Sequence, residues 1–182
     1  MHKTLEQYDR AVNECRQVFM AKLRDYGPSW RILRPSSITD QIFIKARRIR
    51  SIETLGTTKV DEGIKPEYIG IYNYSLMALI QLELGPEPEK PSPDIDFEML
   101  YNQQYLKARA LMENKNHDYG EAWRDMRLSS LTDIILMKIQ RIKQIEDNKG
   151  QTIVSEGLDA NYLDIMNYAI FALIKINEGN ER

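Results

Sequence analysis

Two lysines stand where a helix should be apolar. At about 100° per residue, Lys45 falls in the middle of the stripe made by Ile38, Ile42, Ile49 and Ile52, with Arg48 and Glu53 on its flanks. The pattern returns with Lys138, Arg141 and Glu146 among Leu131, Ile135, Ile142 and Ile145. A charge on a buried face is costly unless it is paired or solvated, so its presence in two places has a cause. Snorkelling stems or a Lys/Arg–Glu bridge at a helix seam would be one. A cationic pocket for phosphate or carboxylate oxygens would be the other.

Asn73 and Asn167 raise the same question, each followed by Tyr within a nearly continuous apolar run. Either they fix the register of packed helices or they belong to a site. Asp164 lies three residues before Asn167, on the same helix face. With Glu146 and Glu156 it would supply an oxygen-rich Mg²⁺ site. The earlier copy offers Glu53, Glu62 and Asn73, but Gly70 replaces the aspartate and its metal site is impaired. Asp-Tyr-Gly-x-x-Trp loops bring Tyr26, Trp30, Arg31 and Arg34, and then Tyr119, Trp123, Arg124 and Arg127. Aromatic faces beside guanidinium groups suit a base and its phosphates, while the simplest role for each Trp is to plug a helix corner. No Gly-rich phosphate loop, zinc spacing, HExxH or nucleophile elbow occurs. His117, with Arg24 as its mate, reads as a surface or capping group.

These residues recur because the chain repeats itself. Residues 8–53 and 101–146 share 19 identities in 46 positions, and 62–85 and 156–179 share 10 in 24. Solenoid periods run at roughly 20–50 residues, so a period above 90 means two copies of a domain-sized unit. The 182 residues are 42% apolar and 29% charged, as expected of an ordered globular chain. A net charge of −2 provides no global field for nucleic acid or an anionic membrane. No apolar run approaches a membrane span and no signal-peptide core is seen. The single Cys15 excludes an intramolecular disulfide and fits a reducing, cytoplasmic setting. Its mate is Ala108, so it reads as a small buried filler.

Each unit reads as three helices, and no segment alternates with a period of two, so the fold class is all-α. The first helix spans 4–24, opened by Thr4-x-x-Gln7 as a capping box and ended at Gly27-Pro28. The second starts at another capping box, Ser37-x-x-Asp40, and fades near 55–56. The third begins around Pro66 and ends at Gly85. The second unit repeats this at 96–117, 130–148 and 160–178. Units 1–85 and 96–182 are joined by a Pro-rich spacer, 86–95. The third helices are apolar nearly all round and must be covered on most sides. They are expected to pack across a pseudo-twofold axis into one six-helix bundle. Surplus apolar surface also points to a homodimer of such bodies.

The Asp-Tyr-Gly-x-x-Trp loop, the Lys-x-x-Arg-Ile helix, Glu156 and Asp164-x-x-Asn167-Tyr168 resemble the nucleotide modification associated domain 1 family, a bacterial and phage group with tandem members. More distantly, the chain resembles the all-α nucleoside triphosphate pyrophosphohydrolases of the MazG and dimeric dUTPase group. That second resemblance implies Mg²⁺ and release of pyrophosphate, with Glu146 and Asp164 as its carboxylates. Ile142 and Lys143 stand where further Glu ligands would be expected. The expectation is a nucleotide-handling protein. Lys138 and Arg141, with Lys45 and Arg48 across the pseudodyad, would hold phosphates. Glu146, Glu156 and Asp164 would hold Mg²⁺, Trp123 or Tyr119 would stack on a base, and Arg124 and Asn167 would complete the pocket. In a hydrolase of this kind a metal-activated water attacks a phosphoanhydride, with Glu146 and Asp164 as the catalytic carboxylates and the second copy carrying the chemistry. The alternative is a noncatalytic helical binding or assembly module.

Overall fold

The computed structural model describes residues 1–56, 63–87, 89 and 94–179. These residues form six α-helices and no strand: α1 (His2–Tyr26), α2 (Pro35–Leu55), α3 (Lys65–Leu84), α4 (Phe97–Tyr119), α5 (Leu128–Asp147) and α6 (Leu158–Asn177). A short 3₁₀ turn carries each Trp-Arg corner, Ser29–Ile32 and Ala122–Asp125. The all-α expectation and the three-helix pattern of each unit hold. Glu62 and half of the expected spacer lie outside the described residues.

The helix ends follow the chemistry in part. Gly120 at φ 61° takes the left-handed cap geometry that ends α4, and Gly27 ends α1 at a positive φ of 70° that glycine adopts without strain. Prolines sit in the first turns of α2 and α3, where a missing N–H costs nothing. The capping boxes expected at Thr4 and Ser37 do not form. Met1 and Arg34 occupy the N-cap positions without side-chain caps. Thr4 is buried instead, donating to Glu121 and accepting from Arg124 Nη2 at 2.7 Å. Its hydroxyl serves the opposite corner of the bundle. Asp96 is a true cap, accepting from Met99 N–H at 3.0 Å.

α3 and α6 share the most extensive contact in the bundle, flanked by α2 and α5, with α1 and α4 packed over the pair. Their all-round apolar character thus finds cover, and the buried residues of both units merge into one core. A pseudo-twofold set of buried polar contacts fastens the halves. Tyr8 O–H donates to Asn167 Oδ1 at 2.6 Å, and Tyr101 O–H donates to Asn73 Oδ1 at 2.8 Å. Each asparagine also donates to the first helix of its own unit, at Ala108 O and Cys15 O, both 3.0 Å. Farther along, Tyr68 meets Thr132 at 2.6 Å and Thr132 donates to Glu53 at 2.7 Å. Tyr162 meets Thr39 at 2.5 Å in the mirror position, beside Glu146. Buried polar groups need such partners, and five of these seven hydrogen bonds cross between the repeats.

Candidate functional site

The two copies of the lysine site are built differently. In the second, Asp164 on α6 is buried between two ammonium groups: Lys115 of α4 at 2.7 Å and Lys138 of α5 at 2.8 Å. Burial opposes the Lys115 charge, but the hydrogen bond and charge of Asp164 outweigh it and its pKa is raised. Beside this triad Trp123 lies flat on Phe171, centroids 4.3 Å apart and planes 5° off parallel.

In the first repeat the aligned residues leave a cavity of about 690 Å³. Lys22 and Lys45 match Lys115 and Lys138, but Gly70 stands for Asp164 and Met77 for Phe171. A Cβ at Gly70 would lie 2.6 Å from Lys45 Cε, so the glycine lets the lysine stem lie against α3. The acid has moved one helical turn back: Glu67 replaces Asn161 and binds Arg48 at 2.7 Å and Lys45 at 3.7 Å. Lys45 also faces the Tyr74 ring at 5.8 Å. Tyr26, Trp30 and Tyr74 supply aromatic wall, and Asn73, Ser29 and Lys22 add polar groups. Lys22 is exposed at the rim, with no carboxylate partner among the described residues.

The residues expected to form a site therefore separate. Lys45 lines the cavity, with Arg48 behind it on Glu67. Lys138 is spent on Asp164, while Arg141 is exposed, with Met137 Sδ at 3.9 Å and its charge felt by Tyr168. Both lysines lie at the shoulder of the apolar stripe rather than at its centre, because Ala46 and Ile139 take the neighbouring buried positions. Trp123 is a buried corner plug, and Tyr119 is 74% exposed. Arg124 covers Trp123 at 4.4 Å and bonds Thr4 and Gln7, both at 2.7 Å. Its mate Arg31 is 2% exposed and reaches Gln81, Gly85 O and Glu87. Asn167 is a fastener of the bundle.

The structure does not bring together the carboxylates expected to hold Mg²⁺. Asp164 is saturated by lysines, Glu156 is exposed in the loop before α6, and Glu146 lies at the α2–α5 crossing. Burial raises the Glu146 pKa, the Thr39 hydroxyl only partly offsets it, and Oε1 has no partner. Among the described residues no three acidic, His or Cys side chains gather as a metal site. The repeat signal that would have found the cavity was the identity of Lys22 with Lys115 and the paired exchange at 67/161 and 70/164.

The fold and these corners define an all-helical, internally duplicated protein whose halves pair as a pseudo-dimer. The model of nucleotide modification associated domain 1 matches twice, at residues 22–82 and 115–176, and the chain belongs to that family. No curated protein and no solved structure matches the chain.

Proposed function

We propose that this protein binds a nucleotide in the first-repeat cavity. The observation that carries the reading is one concave space of about 690 Å³ lined by four aromatic side chains and two lysines. Its volume falls within the ~300–1,000 Å³ typical of small-molecule sites. Rings such as Tyr26 and Tyr74 suit the face of a base, and the ammonium groups suit negative charge. The family's association with nucleotide modification supports the same ligand class. The nearby acids are committed to cations, Glu67 to Arg48 and Lys45 and Asp164 to Lys115 and Lys138. The reading is therefore one of binding, with no metal-assisted hydrolysis assigned.

The test is Gly70→Asp, which writes the second repeat's residue into the first. The second repeat shows that this fold accommodates the aspartate beside its lysine. Thermal shift across common nucleosides and nucleotides should find a stabilising ligand for the native chain. At 100 times its Kd that ligand adds about 2.7 kcal/mol, or roughly 5–10 °C for a chain of this size. In the variant the shift should vanish while the ligand-free melting temperature stays close to native. No stabilising ligand, or an undiminished shift in the variant, refutes the proposal.

A further inference from the structure

We infer that the first-repeat cavity contains an oxyanion subsite between Lys22 and Lys45, shaped for the phosphate of a nucleotide, and that the second repeat is the same subsite closed by its own Asp164 carboxylate. The inference rests on reading that cavity as the binding site, and it adds which end of the ligand is held and by what.

The internal comparison is the argument. Lys115 and Lys138 come from two helices and converge on one carboxylate, at 2.7 Å and 2.8 Å, with the Asp164 side chain 6% exposed. Two ammonium groups sharing two carboxylate oxygens form a charge-assisted bridge, the stronger kind of hydrogen bond. The identical lysines of the first repeat, Lys22 and Lys45, occupy the aligned positions on the aligned helices. Their bridging acid is gone, for Gly70 has no side chain to offer. Glu67 does not replace it. It stands one turn away, 3.7 Å from Lys45, and its close contact at 2.7 Å is with Arg48. Lys22 keeps no acid at all among the described residues, although it lines the cavity.

Glu67 reaches Lys45 but not Lys22, so the Lys22–Lys45 pair keeps a surplus of positive charge that no carboxylate among the described residues spans, where Asp164 spans the other pair. A phosphate monoester has the charge to meet that surplus and one more oxygen than a carboxylate with which to span the pair. The aromatic wall beyond Lys45, at Tyr74 and Trp30, leaves the remainder of the ligand an apolar surface.

The test measures binding of nucleosides, their 5′-monophosphates and inorganic phosphate to the intact chain and to Lys22→Met and Lys115→Met. Lys22 is exposed, so its replacement leaves the core untouched. Monophosphates should bind at least ~10-fold tighter than the matching nucleosides, about the value of one charge-assisted hydrogen bond. Lys22→Met should remove about that tenfold from the monophosphate and leave the nucleoside unchanged. Lys115→Met should alter neither. Equal affinity of nucleoside and monophosphate, or an equal loss of both in Lys22→Met, overturns the subsite while the cavity still binds. If no nucleoside or monophosphate binds, the cavity reading fails, and inorganic phosphate decides the subsite. Saturable stabilisation by phosphate that Lys22→Met abolishes upholds it, and absence of that stabilisation overturns it.

Discussion

Replacing Asn167 by Ala should cost the fold far more than one side chain's packing. Asn167 is buried, accepts from Tyr8 O–H at 2.6 Å and donates to Ala108 O at 3.0 Å. Its loss removes two hydrogen bonds, each worth about 1 kcal/mol net, and orphans a buried hydroxyl and carbonyl at roughly 1–3 kcal/mol apiece. With partial relaxation the sum is about 3–5 kcal/mol, a large share of the ~5–15 kcal/mol a native chain has. Tyr8→Phe should cost less, about 1–2 kcal/mol, because it leaves only the Asn167 oxygen short of a partner. Urea unfolding of the two single variants and the double variant gives the coupling directly. A direct buried bond predicts coupling of about 1 kcal/mol or more, while Tyr8→Phe combined with Asn73→Ala should be additive within ~0.5 kcal/mol. The mirror pair, Tyr101 with Asn73, should behave as Tyr8 does with Asn167. Additivity of Tyr8 with Asn167, or equal coupling of Tyr8 to both asparagines, would refute the cross-repeat fastening.

Two other consequences follow from the pseudodyad. Burial raises the pKa of both Glu53 and Glu146 above 4.5, so the native state binds these protons more tightly than the unfolded chain. Stability from this pair is then greatest below pH 4.5 and declines as pH rises toward the raised native values. The Glu53→Gln/Glu146→Gln variant keeps the oxygen that accepts from Thr132, so it should match or exceed native stability at pH 7. Melting curves against pH should show the native chain losing stability relative to the variant as pH rises above 4.5; a pH-independent difference argues against the assignment. Residues 94–182 alone should form a homodimer, because the contacts across the dyad pair like with like. Sedimentation showing a folded monomer would contradict that.

The helices were legible because punctuation and period agree. Gly27, Pro28, Pro66 and Gly85 bound segments whose apolar residues recur at helical spacing, and a third helix apolar on every side announced its own partner. The capping boxes were not legible as what they are. Thr4 has the spacing of a cap, but Glu121 and Arg124, over a hundred residues away, claim its hydroxyl. Helical-wheel geometry likewise placed Lys45 at the centre of a buried stripe. It could not show that Gly70 on the next helix clears a channel for the stem. Asp164 carries the type and spacing of a metal ligand, and only the arrival of Lys115 from α4 reveals a counterion.

Identity between the two repeats has a physical meaning that reverses its first reading. Residues across a pseudodyad meet the same demand twice, once from each side, so both copies need them. Tyr8 and Tyr101, Thr39 and Thr132, Asn73 and Asn167, Glu53 and Glu146 are all of this kind. A pocket that works once has no such requirement, and it belongs where the copies part company. They part at Glu67/Gly70 against Asn161/Asp164 and at Met77 against Phe171, and every first-repeat member of those pairs lines the cavity. In this duplicated chain the polar residues shared across the dyad fasten the halves, and the differences around the shared lysines point to the site.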